Sequence, residues 1–142
     1  MTRIYERDPK EIVARGYDTI GERYAGRAGA TRTEDRERYA SVLVEALPRG
    51  AYLLDLGCGA GVPTTSRLAQ HFAVTGVDIS AKQIARAKVN VPEARLIRAD
   101  MTALKLPAGS FDCVAAFFSI IHVPRLEQAL LLQGIAGWLR PG

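Results

Sequence analysis

The chain has 142 residues, 48% apolar and 24% charged, a balance that suits one soluble globular domain with a single core and excludes a disordered or fibrous protein. Its formal net charge is only +4 and no basic run carries interleaved aromatics, so no nucleic-acid partner is expected. No segment approaches the ~20 apolar residues of a membrane span, and the start Met1-Thr2-Arg3-Ile4-Tyr5-Glu6-Arg7-Asp8 lacks the apolar centre of a signal peptide. Cys58 and Cys113 belong to no paired motif and read as free thiols beside core strands. A reducing compartment follows, and with it a cytoplasmic location.

In chain order, the first predicted element is a helix over 8–25, where Ile12, Val13, Gly16, Tyr17, Ile20 and Tyr24 recur at three- and four-residue intervals. A loop over 26–30 leads to a second helix, capped by Thr33 and stopped after Leu47 by Pro48-Arg49-Gly50. A strand over 51–56, a helix over 63–70 and a strand over 72–77 follow. Ser80 and Gln83 then form a capping box that opens a helix to about residue 89. Further strands are expected over 94–99 and 111–118, and Pro124 opens a last helix with Leu131, Ile135, Trp138 and Leu139 on one face. Residues 1–50 thus read as a helical lid or cap, and residues 51–142 as an α/β core. Strands alternating with helices imply right-handed crossovers and a parallel sheet, with ligands gathering at the carboxyl ends of the strands.

The richest local signal is Leu53-Leu54-Asp55-Leu56-Gly57-Cys58-Gly59-Ala60-Gly61. An apolar strand with no solvent face ends in a carboxylate and a glycine loop, which lets the backbone turn sharply and approach a ligand. A dinucleotide loop has glycines in the pattern G-x-G-x-x-G, but Val62 fills the third place. Asp55 would also repel a phosphate seated on the following helix. A cationic group such as an amino-acid ammonium suits that carboxylate better. The alternative is an acid that only ties down its own loop.

Two more strands end in acids. Asp78 stands twenty-one residues after Gly57, near the ~20-residue spacing of a ribose-binding acid. A carboxylate accepts two hydrogen bonds side by side, which matches the 2′ and 3′ hydroxyls of a ribose. Asp100 lies one strand further out, where an exocyclic adenine amine would fall, and Ile79 and Met101 follow the two acids as apolar faces for a base. Taken singly, Asp78 reads equally as a helix-start residue and Asp100 as a turn cap. Three acids at three successive strand ends favour a ligand.

With these residues in view, the chain resembles the class I S-adenosylmethionine-dependent methyltransferases, in their small-molecule branch. The matching stretches are Leu54 to Gly61, Gly76-Val77-Asp78-Ile79-Ser80, Ala99-Asp100-Met101, Phe111-Asp112-Cys113-Val114 and Trp138-Leu139-Arg140-Pro141-Gly142. The resemblance implies a Rossmann-like parallel sheet flanked by helices, here of order 3-2-1-4, with S-adenosyl-L-methionine as cofactor and S-adenosyl-L-homocysteine as product. It implies that Asp55 and the Gly57-Cys58-Gly59 backbone hold the methionine moiety, Asp78 the ribose, and Asp100 with Met101 the adenine. Phe117 and Phe118 match positions flanking the transferred methyl, and Tyr17 and Tyr24 match an N-terminal pattern that closes over the cofactor. All four read equally as core packing.

Methyl transfer from a sulfonium needs orientation above all, and a base only where the acceptor is protonated. His122 is the candidate base in the acceptor region, against the alternative of an exposed residue before the Pro124 helix. His71 reads as structural, and no metal is implied. The acceptor is expected to be a small molecule attacking through O, N or C. A non-catalytic nucleoside-binding or interaction module is the competing reading, while Val62 and Asp55 disfavour a dehydrogenase. The sequence ends at Leu-Arg-Pro-Gly, where the family's fifth strand would follow. A truncated form is therefore expected, with strand 111–118 left as an apolar edge prone to self-association and the acceptor half of the pocket reduced.

Overall fold

The computed structural model describes residues 8–28 and 33–142, apart from the side chains of Glu22 and of residues 24–28. Five helices and four strands follow one another among the described residues: α1 (Pro9–Ala28), α2 (Thr33–Ala46), β1 (Tyr52–Leu56), α3 (Thr64–Ala69), β2 (Ala73–Asp78), α4 (Ala81–Asn90), β3 (Arg95–Arg98), β4 (Cys113–Ala115) and α5 (Arg125–Trp138). Short 3-10 turns occupy Met101–Ala103 and Ile120–His122. The strands pair in parallel as β3-β2-β1-β4. That is the expected order, and it puts the ends of β1, β2 and β3 on one rim.

The core divides between the two faces of the sheet. On one, Leu53, Leu68, Phe72, Val74 and Ala115 pack with Ala40 of α2. On the other, Leu54, Leu56, Val77 and Phe111 pack against Leu131 and Trp138 of α5. Leu53, Leu54 and Leu56 are fully buried, as a strand covered on both faces requires. Half of the expected capping box forms: the Ser80 hydroxyl accepts the Gln83 N–H at 3.1 Å and opens α4. The Ser80 N–H donates to Asp78 Oδ1 instead of to the Gln83 side chain, whose Oε1 is left without a partner among the described residues.

Two elements differ from the sequence reading. The strand over 111–118 shrinks to Cys113–Ala115, because Phe118 takes a φ of 57° and the chain turns out of the sheet before it. Phe111 is held instead in an isolated parallel bridge to Leu139. In α1 the apolar spacing does not mark one buried stripe, since Ile12 and Ile20 are 56% and 46% exposed. The inward face carries Val13 and Tyr17, with Gly21 so close to Arg86 of α4 that a Cβ there would overlap its guanidinium. No described helix is long and apolar enough to cross a membrane.

Candidate functional site

A cavity lies at the carboxyl ends of the strands, under α1 and the start of α2. Its wall is built from the β1–α3 glycine loop, the tips of β2 and β3, and the 117–123 segment after β4. The loop is pinned from behind: the N–H groups of Gly57 and Cys58 both donate to the Val77 carbonyl, at 2.7 and 3.0 Å. Gly57, Gly59 and Gly61 have φ between 59° and 80°, a region that glycine enters without steric cost. Their needs differ. A Cβ on Gly57 would fall 2.3 Å from Ser119 Cβ, so a protein neighbour forbids it. A Cβ on Gly59 would meet nothing closer than Gln83 Nε2 at 3.8 Å, so its space is free for a ligand.

Asp78 sits on the wall at the tip of β2. Its Oδ2 accepts the Gly59 N–H and its Oδ1 the Ser80 N–H, both at 2.9 Å. Each oxygen keeps a lone pair for a hydroxyl, so the helix-start and ribose readings are compatible. Burial raises its pKa above the usual carboxylate value. Asp100 lies at the far end. Its Oδ1 caps the 3-10 turn through the Thr102 N–H and hydroxyl, at 2.9 and 2.8 Å, and its Oδ2 pairs with Lys10 Nζ at 2.8 Å. Burial pushes Asp100 up, but these bonds outweigh it and hold it below the ordinary value. Ile79 and Met101 line the wall between the acids, as a base between apolar surfaces would need.

Asp55 departs from the reading of an acid in contact with the ligand. It is 2% exposed, stands behind the cavity wall, and accepts the Thr65 hydroxyl at 2.8 Å. Burial pushes its pKa up to about 6, against the Thr65 bond and the nearby Arg36 charge. Cys58 lines the wall, and burial raises its thiol as well, which disfavours a nucleophilic thiolate.

Phe117, Phe118, Tyr17 and His122 all border the cavity. The Tyr17 hydroxyl lies 2.9 Å from His122 Nε2, with the rings edge to face. This contact ties α1 to the segment beyond β4. The Tyr24 side chain lies outside the described residues. Sequence reasoning missed Lys10, Arg36 and Ser119. The Ser119 hydroxyl donates to the Leu56 carbonyl at 2.6 Å and braces the glycine loop. Ser119 follows the two phenylalanines, and that adjacency was its one available signal.

The methyltransferase domain profile matches residues 53–142, more than half of the chain and all four strands. The chain belongs to the methyltransferase domain family. Among its relatives, the 27-O-demethylrifamycin SV methyltransferase of Amycolatopsis mediterranei is 37% identical over 122 residues, covering 80% of this chain and 44% of that protein. The structure of the SAM-bound amino pentose methyltransferase of Micromonospora echinaspora superposes with a TM-score of 0.70 and 27% identity, over 87% of this chain and 52% of that one. The SAM-bound magnesium protoporphyrin IX methyltransferase of Synechocystis shares the fold, with a TM-score of 0.80 over 94% of this chain and 73% of its own, at 22% identity. This methyltransferase-family chain spans about half the length of the curated relatives it matches.

Proposed function

We propose that the chain binds S-adenosyl-L-methionine and forms the cofactor-binding part of a methyltransferase acting on a small molecule through an O, N or C nucleophile. The observation that carries this reading is Asp78: a carboxylate at the β2 tip, braced by the Gly59 N–H and facing a cavity with free oxygen lone pairs. The wall fits such a ligand from end to end. Asp78 suits the ribose hydroxyls, Ile79 and Met101 the faces of adenine, and Asp100 its amine. The Gly57-Cys58-Gly59 backbone, with the open side of Gly59, suits the methionine chain. Asp55 acts from behind the loop, through its field and its hold on Thr65.

The cofactor supplies an activated methyl on a sulfonium. The chain supplies orientation, holding the acceptor atom ~3–3.5 Å from that methyl and in line with the breaking C–S bond. Where the acceptor carries a proton, His122 would take it, its imidazole held in place by the contact of Nε2 with the Tyr17 hydroxyl. Residues 1–50 act as the lid and 51–142 as the binding core. The names of the relatives, a rifamycin precursor and an amino pentose among their acceptors, support the small-molecule class. Two free cysteines suit a cytoplasmic setting.

Calorimetric titration of S-adenosyl-L-homocysteine tests the reading, with binding expected and lost on competition by S-adenosyl-L-methionine. Absence of binding would overturn it. Binding without methyl transfer to any of a panel of phenols, amines and sugars would favour the non-catalytic module.

A further inference from the structure

Lys10 stands in the first turn of α1, yet its side chain works beyond the tip of β3. Its Nζ donates to Asp100 Oδ2 at 2.8 Å, to Glu127 Oε2 at 2.8 Å and to the Thr102 hydroxyl at 3.2 Å. An ammonium has three N–H groups, so these three acceptors use it fully. None is left for a ligand, although Lys10 and Asp100 both line the cavity. Whatever Lys10 does to a ligand, it does through its partners.

Asp100 is the partner with capacity to spare. A carboxylate offers about four acceptor sites on its two oxygens. Thr102 fills both sites of Oδ1 with its N–H and its hydroxyl, and Lys10 fills one site of Oδ2. One site on Oδ2 is left. Thr102 is itself held by Lys10, so the lysine grips the acid twice, directly and through its turn. Burial pushes Asp100 up, but these bonds keep it below the ordinary carboxylate range, and the bond to Asp100 raises Lys10 above its own ordinary value. An ionised carboxylate can only accept. It takes an N–H of a 6-amino purine and repels the carbonyl oxygen of a 6-oxo purine. A fastening for α1 alone needs no such arrangement, since Glu127 already supplies an acid.

We propose that Lys10 is a positioning residue for base recognition: reaching down from α1, it sets Asp100 so that a single acceptor site meets a 6-amino group, and the cavity thereby prefers a 6-amino to a 6-oxo purine. The proposal rests on the reading of the cavity as an S-adenosylmethionine site. It gives α1 a part in choosing the nucleoside as well as in covering it.

The test uses calorimetry on the full chain with two ligands, S-adenosyl-L-homocysteine and S-inosyl-L-homocysteine, which carries a 6-oxo group in place of the amine. The ratio of their affinities is compared among the parent, Lys10→Met, Lys10→Arg, Asp100→Asn and the double variant Lys10→Met with Asp100→Asn. Thermal melts check folding, and Lys10→Gln takes the place of Lys10→Met if that variant melts below the assay temperature. Lys10→Met is expected to lower the amino-over-oxo preference about three- to tenfold, chiefly by weakening S-adenosyl-L-homocysteine, while Lys10→Arg, which keeps the charge, retains more of it. Because Lys10 acts through Asp100, the double variant should show the same preference as Asp100→Asn alone. An unchanged preference in Lys10→Met overturns the proposal. So does an equal loss for both nucleosides, which marks a fastening of α1 and nothing more. Losses of preference that add in the double variant overturn it too, since they put the effect of Lys10 outside Asp100. A parent chain that binds neither nucleoside overturns the site reading itself, an outcome distinct from the others.

Discussion

Asp55 is a carboxylate in a place where charge is expensive. Burial lifts its pKa from 3.8 to about 6, so the folded state holds a proton that the unfolded state releases earlier. The unfolded chain binds fewer protons between these values, so stability falls as pH rises from about 4 to 6. At about 1.4 kcal/mol per pH unit the cost of the ionised form reaches ~3 kcal/mol at neutrality. Asp55→Asn keeps an acceptor for Thr65 and should therefore be more stable than the parent at pH 7.5, with the gap closing below about pH 4. Denaturant melts across that range decide it, and a gap independent of pH would refute the charge argument. Weaker S-adenosyl-L-homocysteine binding by the same variant would show what the expensive charge is retained for. The glycines separate in the same way. Gly57→Ala meets Ser119 at 2.3 Å and should lower stability by ~1–3 kcal/mol, whereas Gly59→Ala has room and should cost the fold about 1 kcal/mol yet weaken the nucleoside. Equal melting temperatures for the two variants would contradict this. Asp78 and the glycines were legible because strand ends and loop spacing are sequence patterns. Arg36 was not, being one of fifteen arginines distinguished only by what surrounds it.

At the scale of elements, α1 is fastened over the cavity by side chains spread along one face. Lys10 reaches Asp100 and Glu127, Tyr17 reaches His122, and Asp18 Oδ1 takes the Ser80 hydroxyl at 2.5 Å and the Lys82 N–H at 3.2 Å. The partners belong to the β3 end, α5, the segment after β4 and the start of α4, so this helix gathers the rim around the site. Packing alone holds it loosely, since Ile12 and Ile20 face outward. Lys10→Met removes one fastening worth about 1 kcal/mol, so amide exchange in the first turns of α1 should quicken about fivefold while β1 and β2 stay protected. Unchanged exchange in α1 would mean that Tyr17 and Asp18 suffice. The sequence showed that α1 is a helix but not which face turns inward, because its fixings are polar and its apolar spacing points two ways. The length of β4 was misread for a related reason. Apolar residues run from Val114 to Phe118, but the last two serve the cavity wall, and periodicity does not separate a buried strand from a buried turn.

At the scale of the whole molecule, the sheet of the described residues has two edges, and the β4 edge is the apolar one. In a parallel ladder successive residues direct their peptide groups to opposite sides. The Asp112 N–H donates inward to the Tyr52 carbonyl at 2.8 Å, while Phe111 bonds outward, accepting from Arg140 N–H at 2.9 Å and donating to the Trp138 carbonyl at 3.0 Å. Alternation therefore turns Cys113 and Ala115 outward, in line with a ladder that Phe111 and Leu139 begin. An edge so short is partly protected by its length, but no charge or proline guards Cys113, Val114 or Ala115. On α5, Leu126 and Leu130 are 92% and 68% exposed and add apolar surface to the molecule. The expected outcome is reversible self-association through β4: sedimentation velocity should show a mass that rises with concentration, and the amides of Cys113 and Ala115 should exchange more slowly in concentrated than in dilute samples. Leu126→Lys with Leu130→Lys separates the two surfaces, because it should leave the slowed exchange at β4 in place if the edge makes the contact. A monomer at every concentration, or association abolished by the α5 changes with no concentration dependence at Cys113 and Ala115, would remove the edge from the account.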